Sequence, residues 1–142
     1  MGIETMITIT IPGAPVAKGR PRFARRGNFT VAYTPEKTRS YEAIVAIEGK
    51  VAMARRKPLE GALRVEIEAY MPIPKSTTKM VLALMEAGKW PHIKKPDCDN
   101  LAKICDALNG ICWLDDSQIV QLTIAKLYSH RPRLVITISA TA

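Results

Sequence analysis

Five aspartates lie between Lys94 and Asp116, although the chain as a whole is strongly basic. The segment reads KKPDCDNLAKICDALNGICWLDD, and the 142 residues carry 21 Lys and Arg against 13 Asp and Glu, a net charge of +8. Carboxylate oxygens are the ligands that Mg²⁺ and Mn²⁺ prefer. A bound divalent ion also reverses the repulsion between carboxylates and phosphate, activates water and stabilises charge on a phosphodiester under attack. The segment therefore predicts a metal site that hydrolyses phosphodiesters.

The backbone around the first acids predicts a short helix with carboxylates at its start. Pro96 disfavours helix immediately before it, and Asn109-Gly110 is a strong helix stop. Between them, an apolar stripe with helical spacing is formed by Leu101, Ile104, Cys105 and Leu108. Asp97 is then in extended chain, and Asp99 is the N-cap or a first-turn residue, so both carboxylates project to one side of the helix start.

A third ligand is expected from the aspartate pair that follows the helix. The stretch ICWL predicts a short apolar strand, and DDS predicts a turn into the next strand. If these strands pair as a hairpin beside the helix, Asp115 or Asp116 returns near the first two acids. Three oxygen ligands from two chain segments suit Mg²⁺ or Mn²⁺, which also keep waters and a substrate phosphate.

Each acid also has an ordinary structural interpretation. An aspartate at a helix start is often a cap, and Asp99 with Lys103 forms a common i, i+4 ion pair. We assign Asp106 to such pairing or to solvation. Capping explains one aspartate, but it does not explain Asp97 or the lysines that adjoin the acids.

The basic residues predict an anionic partner, of which nucleic acid is the commonest large one. The segment PVAKGRPRFARRGNF has no acid, and its glycines and prolines predict an exposed loop rather than a regular element. The predicted contacts to a DNA backbone are Lys18, Arg20, Arg22, Lys94 and Lys95. A solvated basic surface is the alternative, and it is favoured for Arg25 and Arg26.

The remaining segments predict one domain over residues 1–142, because this length supports a single core. Alternating apolar residues predict strands in TMITITIPG, FTVAYTP, GALRVEIEAYMPIP, SQIVQLTIAKLYS and RLVITISA. The last two are expected to be antiparallel neighbours. A long helix is predicted from Pro35 to about Arg56, and a shorter one from its cap Ser76 to about Ala87, with Gly88 as its stop.

The sequence does not match the patterns of membrane proteins or of proteins that depend on disulfides. No window reaches the ~18 apolar residues of a membrane span, and the N-terminus has no leader pattern, so we expect a cytoplasmic protein. Cys98, Cys105 and Cys112 lack paired C-x-x-C spacing and a nearby histidine pair, which argues against a zinc site and predicts free thiols.

The stretch KPDCDNLAKICDALNG followed by WLDDSQIV resembles the signature of the RusA family of Holliday junction resolvases, which are phage- and prophage-associated endonucleases that cut four-way DNA junctions. The segments VAKGRPRF and YTPEKTRSYE and the terminal strands also resemble the family's layout, so the likeness covers nearly the whole chain. It implies an α+β fold in which a mixed sheet is flanked by helices. It also implies a Mg²⁺-dependent homodimer.

The resemblance further implies which residues act. Its metal-site and catalytic residues are Asp97, Asp99 and Asp116, with Lys103 as the catalytic lysine and Asn100 beside it as a DNA contact. The family's third acid is the second of the aspartate pair, which selects Asp116 over Asp115. A two-fold dimer agrees with the chemistry, because one chain offers one acidic site and a junction needs two symmetric cuts.

The predicted function is therefore Mg²⁺-dependent resolution of four-way DNA junctions in recombination and repair, with Mn²⁺ as a second usable ion and no small-molecule cofactor. One alternative is a basic DNA-binding module without catalysis, in which the aspartates only cap and pair. Another is a metal nuclease that prefers flaps or forks. Charge and motif do not rank these substrates, because all present the same phosphates.

Overall fold

Three α-helices and six strands build the chain in the computed structural model, which describes residues 5–17, 22–33 and 36–141. The strands are β1 (Met6–Pro12), β2 (Arg22–Arg26), β3 (Phe29–Tyr33), β4 (Leu63–Pro72), β5 (Ile119–Ser129) and β6 (Arg133–Ala140). The α-helices are α1 (Glu36–Met53), α2 (Lys79–Glu86) and α3 (Cys98–Ala102). Two 3₁₀ helices span Lys103–Leu108 and Asp116–Gln118.

Four strands form a mixed sheet in the order β1-β6-β4-β5. Strand β6 is antiparallel to both of its neighbours, whereas β5 runs parallel to β4 at the sheet edge. Strands β2 and β3 form a separate two-stranded sheet. The predicted α+β fold with a mixed sheet and flanking helices is confirmed.

One face of the larger sheet is buried because apolar and polar residues alternate along its strands. In β1, Ile7, Ile9 and Ile11 are buried while the threonines between them are exposed. The same alternation continues in β4 and β6. Ile136 pairs with Ile9 on one side and Ile67 on the other, so three branched side chains form a row across the core.

Helix α1 covers this buried face and approaches the first 3₁₀ helix closely. Val45 and Met53 are buried, and Gly49 lies between them on the inward side. A Cβ atom on Gly49 would lie 2.6 Å from Leu108 Cδ2. The single glycine of this helix therefore permits the close approach of the segment that follows the acids.

The expectation that the last two strands are neighbours is wrong, because β4 lies between them. Strand β6 has alternate residues fully buried and the others half-buried, which suits a central position. Strand β5 is largely exposed in its first half and takes the edge. Alternation predicts which face of a strand is buried, but it does not name the partner strand.

Two other local predictions are corrected. The segment Arg22–Arg26, expected as a loop, is a strand that pairs with β3 across a turn at Gly27, where φ is 61°. The stretch ICWL is not a strand. Ile111 and Cys112 donate backbone hydrogen bonds to the carbonyl of Leu108, and Trp113 makes only isolated bridges.

Two of the predicted helices occur with small shifts at their ends, whereas the one predicted between Pro96 and Asn109 is α-helical only over Cys98–Ala102 and continues as a 3₁₀ helix over Lys103–Leu108. Helix α1 ends at Met53 rather than near Arg56. The cap of α2 is Thr78 instead of Ser76, since the Thr78 hydroxyl accepts a hydrogen bond from the amide of Val81. Gly88 follows α2 with φ of 72°, as expected for a helix stop.

Within the described residues, Cys98, Cys105 and Cys112 are free thiols, as predicted. Burial raises the pKa of Cys105 to about 12 and that of Cys112 to about 11. Both groups therefore stay protonated and pack in the core. None of the helices among the described residues has the length and apolar character needed to cross a membrane.

The row of isoleucines predicts a large stability loss on truncation. Ile136→Ala should lower the free energy of unfolding by about 2–5 kcal/mol, because it leaves a cavity between Ile9 and Ile67. Urea denaturation measures this loss. Thr123→Ala, an exposed position of β5, is the control and should stay within about 0.5 kcal/mol of wild type. Equal effects of the two variants would contradict the central position of β6.

Candidate active site

The first two acids lie at the start of α3. Asp97 occupies the N-cap position in extended backbone, with φ of −77° and ψ of 153°, and its side chain makes no capping hydrogen bond. Asp99 lies in the first turn, and both residues are exposed. The carboxylate of Asp97 is therefore not used to cap the helix.

The loop that leads to Asp97 is held by a lysine of the sheet. The ammonium group of Lys126 donates hydrogen bonds to the carbonyl oxygens of Lys94 at 2.8 Å and Pro96 at 3.0 Å. The Lys95–Pro96 peptide bond in this loop is cis. These two hydrogen bonds fix the loop, and with it Asp97, relative to β5.

Lys126 is not among the residues predicted from the sequence, although its position in β5 indicates a polar contact. In β5, the residues that face the helices include Ile124, Lys126 and Tyr128, and Lys126 pairs with the fully buried Ala69. A lysine at an inward position of an alternating strand requires a polar partner. The loop carbonyls are that partner.

Asn100 and Lys103 lie on the exposed side of α3 and its end. The Lys103 ammonium lies 3.4 Å from the Asn100 side-chain oxygen, to which it donates a hydrogen bond. The described residues contain no ion pair between Asp99 and Lys103, which was the alternative interpretation of their spacing. The Asp99 carboxylate and the Lys103 ammonium are thus separately available on this surface.

Asp115 has a structural role at the second 3₁₀ helix. Its carboxylate accepts a hydrogen bond from the Ser117 amide at 3.1 Å, while the Gln118 side-chain oxygen accepts one from the Asp115 amide at 3.1 Å. Hydrogen bonds from the side chain and the amide of Ser117 lower the pKa of Asp115. The Gln118 amide group also donates to the carbonyl oxygens of Leu59 and Gly61, which ties this capping box to the loop before β4.

Asp116 has a different environment from its neighbour. A cavity of about 320 Å³ is lined by Asp116, Lys103, Asp106, Ala102, Cys105, Ile119 and Leu122. The negative charges of Asp106 and Asp116 contribute to the raised pKa of Cys105, after burial as the main cause. The structure thus brings Asp116 to the same cavity as the predicted catalytic lysine.

The three predicted metal ligands do not converge in this structure. Within residues 5–17, 22–33 and 36–141, no three Asp, Glu, His or Cys side chains are close enough together to hold a metal ion. The structure places Asp97 and Asp99 at the start of α3 and Asp116 at the cavity beside Lys103. Asp97 and Asp99 alone match the donor type of Mg²⁺, which often uses one or two carboxylates with waters and substrate phosphates. The three-carboxylate set stays a prediction.

The predicted DNA contacts fall in two groups. Lys18 and Arg20 lie outside the described residues, as does the side chain of Arg22. Lys94 and Lys95 are exposed and directly precede the Pro96–Asp97 turn into α3. Two cations therefore adjoin the two carboxylates, as the sequence indicated.

The comparisons with known proteins define the class as an endodeoxyribonuclease. Residues 12–139 match the sequence model of the family described as Endodeoxyribonuclease RusA, and the match includes all the predicted acids and Lys103. The chain belongs to this family, which confirms the resemblance. It is also 36% identical over 137 residues to a Bacillus subtilis (strain 168) protein named "Uncharacterized protein YqaN", a similarity that spans 93% of this chain and 94% of that relative.

The loop contact of Lys126 generates a prediction. Lys126→Met should remove both hydrogen bonds to the loop and reduce DNA cleavage about 10- to 100-fold, because small displacements of catalytic groups are costly. Cleavage of labelled DNA and amide hydrogen exchange over residues 94–99 measure the two effects. Lys50→Met removes an equal charge from the exposed last turn of α1, and it should change neither DNA cleavage nor hydrogen exchange of the loop. Normal cleavage by Lys126→Met would show that the contact does not position Asp97.

His92 belongs to this loop and packs against Tyr128 of β5. Its ring centroid lies 5.0 Å from that of Tyr128, and among the described residues its buried Nδ1 atom has no hydrogen-bond partner. Burial, followed by the positive charges of Lys126 and Lys94, lowers the pKa of His92. Protonation therefore favours the unfolded chain.

This lowered pKa predicts a pH dependence of stability. In the unfolded chain His92 titrates near its ordinary value of about 6.5, and in the folded protein it titrates below that value. Its contribution should therefore destabilise the fold increasingly as pH falls below about 6.5, and should vanish above it. Urea denaturation between about pH 7.5 and pH 5 should show a smaller loss of stability for His92→Phe than for wild type. Parallel curves for the two proteins would be inconsistent with this assignment.

Proposed function

We propose that this protein is a Mg²⁺-dependent, structure-selective endodeoxyribonuclease that resolves four-way DNA junctions by paired symmetric hydrolysis, in DNA recombination and repair. Membership of the RusA family supports the endodeoxyribonuclease activity. The observation that carries the proposal is the placement of Asp97 and Asp99, exposed at the start of α3, directly after Lys94 and Lys95. This arrangement offers cation ligands beside groups that attract the DNA backbone.

The residues that would hold the ion are Asp97, Asp99 and Asp116. When bound, Mg²⁺ lowers the pKa of water and offsets the negative charge that develops on a phosphodiester. The ammonium group of Lys103 would stabilise charge on the phosphate oxygens or orient the attacking water, since Asn100 holds it at the surface. Lys94 and Lys95 would bind the DNA backbone without reading its sequence.

Two observations support Asp116 over Asp115 as the third acid. The Asp115 carboxylate accepts the capping hydrogen bond of the second 3₁₀ helix. Asp116 instead lines the cavity that also contains Lys103. A residue engaged in a capping box is poorly available to a metal ion, because coordination would compete with its amide hydrogen bond.

The proposal includes a homodimer and a cytoplasmic location, with Mn²⁺ as an alternative ion. One chain carries one group of acids at α3, whereas a four-way junction is resolved by two symmetric cuts. A two-fold dimer places two such groups on one junction.

Substitution of the acids tests the assignment. Asp97→Asn should reduce cutting of a synthetic four-way junction about 100-fold or more, because it removes a ligand charge. Junction binding should stay equal or become tighter, since a charge that repels phosphate is lost. Asp116→Asn should also lose cutting, while Asp115→Asn should retain most of it, because asparagine caps helices as well as aspartate does. Cutting by Asp97→Asn at the wild-type rate in Mg²⁺ would refute the metal site.

The choice of substrate requires matched DNAs. Four-way junctions, flaps and forks built from the same strands should be compared in Mg²⁺ and in chelator, with product and binding followed on gels. Faster symmetric cutting of the junction is expected. Faster cutting of flaps or forks would contradict junction resolution, and binding of all DNAs without product would favour a DNA-binding module without catalysis.

A further inference from the structure

A second cavity lies between α2 and the loop that leads to the acids. Its volume is about 570 Å³, within the range of pockets that bind small organic groups. Helix α2 contributes Val81 and Met85, and β5 contributes Tyr128. The loop contributes Trp90, Pro91 and Ile93. Neither membership of the RusA family nor the proposed role of the acids at α3 accounts for this cavity.

The lining of this cavity suits a flat aromatic group linked to an anion. Trp90 is 42% exposed and Ile93 is 89% exposed, so large apolar surfaces have no partner in the described residues. The polar side chains of the lining are the hydroxyl residues 76–78, Tyr128 and the basic residue Lys94, without a carboxylate. Every nucleobase has a π face that stacks on an aromatic side chain, and its phosphate pairs with a cation.

The cavity and Asp97 are connected by one loop, which Lys126 holds to β5. Lys94 lines the cavity and lies three residues before Asp97, so their Cα atoms are at most about 11 Å apart. Lys126 holds the carbonyls of Lys94 and Pro96, and Tyr128 of the same strand lines the cavity. The axial rise of stacked DNA is about 3.4 Å per nucleotide, so this separation spans at most roughly three nucleotides of one strand.

We propose that this cavity binds a nucleobase that has left the base stack within about three nucleotides of the scissile phosphate. The base contacts Trp90, and an adjoining phosphate faces Lys94. This inference rests on the proposed function for its DNA substrate. Unstacking costs least where pairing is already interrupted, so a branch point supplies such a base more readily than an intact duplex does.

Fluorescence of the intact protein on junction DNA tests the proposal. The chain has two tryptophans, and the other, Trp113, is fully buried with its indole N–H bonded to Asn109. The probes are four-way junctions in chelator, each with one 2-aminopurine at a position near the branch point or the mapped cut. We expect junction binding to quench the emission of Trp90 and to cause no quenching in Trp90→Phe. We also expect the 2-aminopurine emission to change at one of the labelled positions.

Substitutions in the cavity distinguish DNA binding at the cavity from DNA binding by the rest of the protein surface. Trp90→Ala should weaken junction binding about ten-fold through lost stacking. Val81→Phe should weaken it similarly by filling the cavity. Met80→Phe is the matched control, since Met80 is 76% exposed on the same helix and does not line the cavity. Thermal melting checks that each variant is folded, and if Trp90→Ala unfolds, the comparison of Val81→Phe with Met80→Phe decides.

Wild-type binding by Val81→Phe, or unchanged 2-aminopurine signals at every position, would overturn the proposal. Dissociation of a dimer by Trp90→Ala or Val81→Phe in sedimentation, without a 2-aminopurine change, would show instead that a second copy covers the cavity. The nuclease proposal is tested separately by loss of cutting in Asp97→Asn. If the wild-type protein alters 2-aminopurine emission but cuts no DNA, the base-binding site is supported and the nuclease activity is refuted.

Discussion

The two hydrogen bonds from Lys126 to the carbonyls of Lys94 and Pro96 connect the acid-bearing loop to the sheet. In the part of the chain that the structure describes, this loop pairs with no strand, and the Lys126 ammonium group satisfies two of its carbonyl oxygens instead. The position of Lys126 depends in turn on the parallel register of β5 with β4, in which it lies opposite Ala69. Asp97 is therefore positioned by sheet register as well as by its own helix.

The parallel pairing of β4 and β5 also explains why the chemistry lies in one stretch of chain. Adjacent parallel strands need a long crossover connection. Here that connection contains α2, α3 and both 3₁₀ helices, and it carries every acid assigned to the site. Strand β5 then lines both cavities, through Ile119 and Leu122 beside Asp116 and through Tyr128 beside Trp90.

Lys103 lies between the two groups of acids. On one side it donates to Asn100 of α3, and on the other it lines the cavity with Asp116. A basic chain that gathers acids at this place repels bare phosphate locally while its remaining surface attracts DNA. Under the proposed function, a divalent ion would reverse this local repulsion, so that metal binding would favour DNA binding at this surface.

Local patterns in the sequence sufficed for the strands β1, β3, β4, β5 and β6, for the helices α1 and α2 and for the exposed aspartates, because alternation and capping act within a few residues. The helix predicted after Pro96 changes from α to 3₁₀ at Lys103, which its apolar stripe did not indicate. The family motif also lay in the sequence. Only the tertiary structure decided that β6 is central, that Asp115 caps while Asp116 lines a cavity with Lys103, and that Lys126 holds the loop before Asp97. The contacts of Lys126 and the pairing of β6 join residues about thirty or more positions apart, whereas Asp115 and Asp116 are adjacent in sequence but differ in environment. A periodic pattern indicates which face of an element is buried, but it does not indicate the partner.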